Sequence, residues 1–194
     1  MAQSPLIFVS GGVRSGKSSF AEKLAISHST NIGGRLIYIA CGKSGDPEMK
    51  ERIARHKSDR ETGFHKWSTF EYPVSIENAV PHIDPKSVVL LDCLTTLLNN
   101  EMFPARGGFD EWKSDDFLVS VKRAIMSGIQ KIREQAACFI IVSNEVLHEP
   151  IIDQGVPRAY AKMIGGLHQE IVSKSDQAYS IEAGCAWLMK GELT

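Results

Sequence analysis

Residues 11–18 read Gly-Gly-Val-Arg-Ser-Gly-Lys-Ser, directly after the apolar run Leu6-Ile7-Phe8-Val9 and ahead of a helical pattern that opens at Ser19. No other stretch limits the fold so tightly. Strand, glycine-rich loop and helix start, in that order, form the setting in which a backbone wraps a chain of phosphates. The glycines let successive N–H groups turn inward toward phosphate oxygens. The helix behind them adds the positive end of its dipole. Lys17 would reach the β- and γ-phosphates, and the Ser18 hydroxyl would ligate Mg²⁺. Gly11, Gly12, Val13, Arg14, Ser15, Gly16, Lys17 and Ser18 are therefore the first candidate nucleotide-binding residues. Lys17, as a loop lysine, is expected to be solvated when no nucleotide is bound.

The remaining pattern suits a sheet built around such a loop. Short continuous apolar runs occur at 6–9, 36–40, 88–91 and 138–142, rich in Ile and Val, as strands buried on both faces of a parallel sheet are. Helical stretches lie between them. One follows the phosphate loop to about His28. A second opens at Asp46-Pro47, a good cap followed by proline at the first helical position. A third places Leu118, Val121, Ile125, Ile129 and Ile132 on one stripe. The last covers roughly 158–173. Segments 178–181 and 186–189 pair as closing strands around Glu182-Ala183-Gly184, and 102–116 reads as a surface loop. The expected class is α/β: one P-loop NTPase-like domain over residues 1–194, its sheet mostly parallel with helices on both faces.

Composition removes several functions. Lys and Arg total 22 against 23 acidic residues, a net charge of −1, which argues against a nucleic-acid surface or a polybasic membrane patch. Cys41, Cys93, Cys138 and Cys185 form no C-x-x-C pair, and three sit beside apolar runs as small buried hydrophobes do, so zinc and disulfides are not expected. The N-terminal run is only a strand long, unlike a signal peptide, and no segment is apolar for long enough to span a bilayer. A cytoplasmic enzyme is the expectation.

Two further elements bear on chemistry. The strand Val88-Val89-Leu90-Leu91 ends in Asp92, whose carboxylate at the sheet edge would hold Mg²⁺. The same aspartate could instead cap the helix of Leu94-Thr95-Thr96-Leu97-Leu98, and the two roles are compatible. On the helix opened by Asp46, Met49, Ile53 and His56 share a face, and His56 stands among Arg55, Lys57 and Arg60. A histidine on an apolar helix face is commonly structural. A neutral imidazole beside cations is also a competent nucleophile toward phosphorus.

With these residues in place the chain resembles the bifunctional adenosylcobinamide kinase / adenosylcobinamide-phosphate guanylyltransferase family of cobalamin biosynthesis. The resemblance is carried by the loop with Arg14 and Ser15 inside it, by Tyr38-Ile39-Ala40, by Glu48-Met49, Arg52-Ile53, His56-Lys57 and Arg60, and by Trp67, Thr69 and Glu71. It continues in Leu91-Asp92-Cys93-Leu94-Thr95-Thr96 with Asn99, and in Ser143-Asn144-Glu145-Val146. It implies that His56 becomes covalently guanylylated and that Ala40, Cys41, Gly42, Lys57, Arg60, Glu71 and Asp92 join the loop in binding nucleotide. It also implies GTP and ATP as substrates, a corrinoid acceptor and a homo-oligomer. After Val146 the chain departs from the glycine-rich stretch of better-known members, reading Leu147-His148-Glu149-Pro150. His148 and His168 are expected to be surface or packing histidines.

Two activities follow on one site: phosphorylation of adenosylcobinamide, then transfer of GMP from GTP through a histidine–GMP intermediate, with Lys17 and His56 as catalytic residues. A P-loop small-molecule kinase in which His56 is structural has the same loop and Asp92. A non-enzymatic nucleotide switch is the other alternative, although the guanine-reading N-K-x-D tetrapeptide is missing from the chain.

Overall fold

Strands β1 Leu6–Gly11, β2 Arg35–Ala40, β3 Trp67–Glu71, β4 Ser87–Asp92, β5 Cys138–Asn144, β6 Gln177–Glu182 and β7 Cys185–Lys190 join in one sheet, ordered β3-β2-β4-β5-β1-β6-β7. The computed structural model describes residues 3–42, 65–104, 110–146 and 155–192. The helix expected at Asp46-Pro47, with His56, Lys57 and Arg60, lies outside the described residues, as does His148. Every neighbouring strand pair is parallel except β6 with β7. That antiparallel pair is the expected hairpin around Glu182-Ala183-Gly184.

Side chains alternate between the two faces, as the period of a strand requires. Leu6 and Phe8 join Val89, Leu91, Phe139 and Ile141 on one face, under helices α2 Leu94–Met102, α3 Asp115–Gln135 and α4 Val156–Lys174. Ile7 and Val9 join Val88, Leu90, Ile140 and Val142 on the other, where Ala21 and Ala25 of helix α1 Lys17–Ile32 pack. Helices thus cover both faces, and the expected α/β class holds.

Three boundaries differ from the sequence expectations. Helix α1 continues past His28 to Ile32 and stops at Gly33, whose φ of +62° is left-handed. Helix α2 reaches Met102, and α3 starts at Asp115, where the Ser114 hydroxyl accepts from Phe117 N–H. The loop expected over 102–116 is therefore shorter than its proline, glycines and acids suggested. Strand β3 has no apolar run at all: its residues are half-buried or exposed because it is an edge strand. Period-2 patterning is weak where neither face is fully covered.

Strand order positions the site. Strand β5 lies between β1 and β4, so the residues ending β5 emerge between the phosphate loop and Asp92. In register, Gly11 faces Asn144, Asp92 faces Val142, and Ala40 faces both Asp92 and Glu71.

Candidate functional site

The loop closes through its own backbone. Ser15 N–H donates to Gly12 O at 3.2 Å, and Phe20 N–H to Gly16 O at 3.0 Å. Gly16, with φ +94°, makes the turn into α1, a conformation that L side chains rarely adopt. Arg14 holds φ +61° without being glycine. Gly11 leaves no room for a side chain, since a Cβ there would lie 2.5 Å from Ile181 O. The loop's first residue thus rests directly against β6. From the same side Gly184 N–H donates to Ser15 O at 2.9 Å, and from β5 Glu145 N–H donates to Gly11 O at 2.9 Å.

Lys17 departs from expectation. It is 3% exposed, and its Nζ donates to Gly12 O at 3.1 Å. As the first residue of α1 its stem is covered by the fold, and the loop's own carbonyl accepts a hydrogen bond from the ammonium. The charge is thereby held at the loop. The buried Ser15 Oγ finds no hydrogen-bond partner among the described residues. Such a group costs about 1–3 kcal/mol.

Across β5, Asp92 ends β4, and its Oδ2 accepts from the Tyr38 phenol at 2.9 Å. Cys93, not Asp92, occupies the capping position of α2. The capping role is therefore corrected: the carboxylate is engaged by β2. Ser18, 8% exposed, opens α1 beside Lys17. A hydroxyl and a carboxylate are hard oxygen donors of the kind magnesium takes, with water and substrate phosphates completing its shell. No cage of three or more His, Cys, Asp or Glu exists among the described residues. A cation here would have to take most of its ligands from the nucleotide.

Ala40 lies next to Asp92 along the sheet edge and Glu71 lies beyond Ala40, with Tyr72 N–H donating to Ala40 O at 2.9 Å. Cys41 is fully buried; its N–H donates to Asp92 O, and its carbonyl accepts from Asn100 Nδ2 at 2.9 Å. Burial pushes its thiol well above the ordinary value, with Cys93 and Asp92 adding to the effect. Only its backbone and the adjoining Gly42 are therefore suited to meet a ligand.

The residues ending β5 were singled out in the sequence only by the resemblance, without a role. Asn144 Nδ2 donates to Thr95 Oγ1 at 2.9 Å, and the Tyr160 phenol donates to Thr95 O at 2.8 Å. Cys93 Sγ lies 3.1 Å from the hydroxyls of both Thr95 and Thr96. Cys93 is thus half-buried in polar company, unlike the small buried hydrophobe expected. His168 is a packing residue, as expected: it bonds Ser143 Oγ at 2.8 Å and meets Phe8 edge-on. Burial holds its imidazole below the ordinary value, an effect that Glu145 opposes.

A cavity of about 700 Å³ opens beside the loop, lined by residues 11–15, Glu145, Val146 and residues 180–183. Its loop wall was legible in the sequence; the wall formed by residues 180–183 was not, because β6 meets β1 only through the sheet order.

Residues 7–189 match the family described as cobinamide kinase / cobinamide phosphate guanyltransferase. The chain belongs to this family. Among its relatives is the bifunctional adenosylcobalamin biosynthesis protein CobU of Escherichia coli, 30% identical, with 92% of this chain and 96% of that protein covered. CobU of Salmonella typhimurium is also 30% identical, with 92% and 96% covered. CobP of Pseudomonas aeruginosa is 31% identical, with 94% and 95% covered. The resemblance drawn from the loop and the motifs that follow it is confirmed at the level of the family. Membership in the cobinamide kinase family carries a nucleotide-binding, transferase role in cobalamin biosynthesis. Among the described residues no helix is long and apolar enough to cross a membrane.

Proposed function

We propose that this chain phosphorylates adenosylcobinamide with ATP or GTP and then transfers GMP from GTP to the product, giving adenosylcobinamide-GDP. The family match over residues 7–189 carries the proposal. The closed phosphate loop, with Lys17 held at it, supports it.

In the first reaction the acceptor hydroxyl attacks the γ-phosphorus. Residues 11–18 hold the phosphates through their N–H groups and the Lys17 ammonium. They act by positioning and by stabilising charge that is already fixed in place. A magnesium ion, held through Ser18 and Asp92, supplies neutralisation of the phosphate charge when bound. Ala40, Cys41, Gly42 and Glu71 extend the nucleotide site along the sheet edge, with Lys57 and Arg60 completing it.

In the second reaction a ring nitrogen of His56 attacks the α-phosphorus of GTP, and the bond to pyrophosphate breaks. The acceptor phosphate then displaces the histidine. Dividing the transfer in two spares a direct encounter of two anionic phosphates. One domain over residues 1–194 performs both steps, in a cytoplasmic homo-oligomer whose partners are nucleotides and a corrinoid rather than nucleic acid.

Incubation with α-labelled GTP tests this function. The wild-type protein should retain an acid-labile, alkali-stable label, and His56→Ala should retain none while still phosphorylating adenosylcobinamide. Label on the His56 variant would place the nucleophile elsewhere. A wild-type kinase that takes no label would reduce the protein to its first activity.

A further inference from the structure

The phosphate loop is held by its carbonyls, and each carbonyl that is held also aims an N–H. In a trans peptide the C=O of one residue and the N–H of the next share a plane and point in opposite directions. Glu145 N–H, donating to Gly11 O, fixes the plane of residues 11 and 12. Ser15 N–H and Lys17 Nζ, both donating to Gly12 O, fix the next plane. Phe20 N–H, donating to Gly16 O, fixes the plane that leads into α1. The plane of Ser15 and Gly16 is held from another element. Gly184 N–H, in the turn between β6 and β7, donates to Ser15 O at 2.9 Å. With that carbonyl drawn to the turn, Gly16 N–H points away from it.

We infer that this turn aims the Gly16 N–H at the nucleotide phosphates, so that Gly184 is a positioning residue for the phosphate site. This rests on the phosphate-loop reading proposed above and extends it to a residue far along the chain.

Two observations support it. First, the turn is shaped to present a backbone N–H. Glu182 and Cys185 pair across it, so Ala183 and Gly184 form a two-residue hairpin loop, with φ of +48° and +83°. Two successive left-handed residues make the tight turn whose twist matches that of its strands. Such a turn has little freedom, and its N–H groups have fixed directions. Second, the approach is backbone to backbone. A Cβ on Gly16 would lie 3.4 Å from Gly184 Cα, and one on Gly11 would lie 2.5 Å from Ile181 O. Strand β6 and its turn therefore touch the loop at its first residue and again where it enters α1. A donor aimed before the phosphate arrives needs no reorganisation when it binds.

Variants of the full chain test this in binding titrations, with ATP and inorganic tripolyphosphate as probes. A Cβ at position 184 would meet nothing within 4 Å, so a substitution there acts through the backbone. Gly184→Val is a poor fit to φ +83°, because a β-branched residue is an outlier in that region. The turn then opens and its N–H leaves Ser15 O. Both probes should bind about 10-fold more weakly, the scale of one hydrogen bond to a charged group. One glycine inserted between Ala183 and Gly184 should have the same effect, since it displaces the donor while keeping a hairpin loop of common length. This second variant carries the test if Gly184→Val does not fold. Gly184→Asn should bind both probes as wild type does, because asparagine tolerates the left-handed region. Gly191→Ala loosens the other end of β7, since its Cβ would lie 2.3 Å from Asp176 O. It should lower the melting temperature and leave both affinities unchanged.

Wild-type affinity in the insertion variant overturns the inference, as does wild-type affinity in a folded Gly184→Val. An equal loss of affinity in Gly191→Ala also overturns it, because general loosening of β7 would then be the cause. In each case a wild type that binds both probes leaves the nucleotide reading standing. A wild type that binds neither probe overturns that reading and this inference together.

Discussion

The Tyr38 phenol donates a 2.9 Å hydrogen bond to Asp92 Oδ2 from the neighbouring parallel strand. Tyr38 is in register with Leu90, so Asp92, two residues further on, shares its face of the sheet. The ring is buried and meets Trp67 edge-on. Its hydroxyl fixes one oxygen of the carboxylate and orients the other.

Tyr38→Phe keeps that ring in place and removes only the donor. The expected cost is about 1 kcal/mol of stability, the net worth of one hydrogen bond. Turnover should fall several-fold, with the Mg²⁺ requirement shifted to higher concentration. An unchanged Mg²⁺ titration would show that the bond orients nothing of consequence.

Asp92→Asn retains size and still offers an oxygen to Tyr38, so the fold should be preserved. Loss of the negative charge should weaken metal dependence and sharply reduce turnover, with nucleotide binding less affected. Activity titrated against Mg²⁺ separates the outcomes, since a purely structural Asp92 would leave the curve where it was.

Lys17→Met removes the ammonium and keeps a buried stem of similar length. Both activities should be abolished. Because Lys17 is 3% exposed, methionine tests the charge without opening a gap, and the melting temperature should stay near that of wild type. Retained kinase or transferase activity would remove Lys17 from the phosphate site.

Arg133, 6% exposed, ties together the opposite end of the sheet. Its Nε donates to Ser4 O at 2.7 Å, Nη1 to Lys174 O at 3.0 Å and Nη2 to Asp176 Oδ2 at 2.9 Å. Arg133→Ala leaves these acceptors without that donor and should destabilise by about 2–4 kcal/mol, discounted for the half-exposed Asp176. Lysine should rescue only part of this, because it has no planar fork. Chemical denaturation of the two variants measures the difference, and equal stability of Arg133→Ala and wild type would refute the role.

The phosphate loop was legible because its chemistry is local. Gly16, Lys17 and Ser18 act within one turn of chain, and the loop's neighbours in sequence are its neighbours in space. The same holds for β1, β2, β4 and β5, whose continuous apolar runs follow from burial on both faces. Strand β3 escaped because an edge strand needs no such run. The burial of Lys17 was misjudged because a lysine's exposure depends on what packs over its stem.

The sequence by itself determined an α/β chain with a phosphate loop, an aspartate ending a buried strand, and membership in a family recognised by its motifs. Only the tertiary structure decided that β5 separates β1 from β4, and so that Asn144 and Glu145 rise between loop and aspartate. It alone brought Tyr38 to Asp92 and set Gly11 against Ile181 beside a cavity. The physical reason is that a strand's pattern records which of its faces are buried. Which strand lies beside which is decided by hydrogen bonds between segments far apart in the chain, whose backbone groups are the same for every residue other than proline.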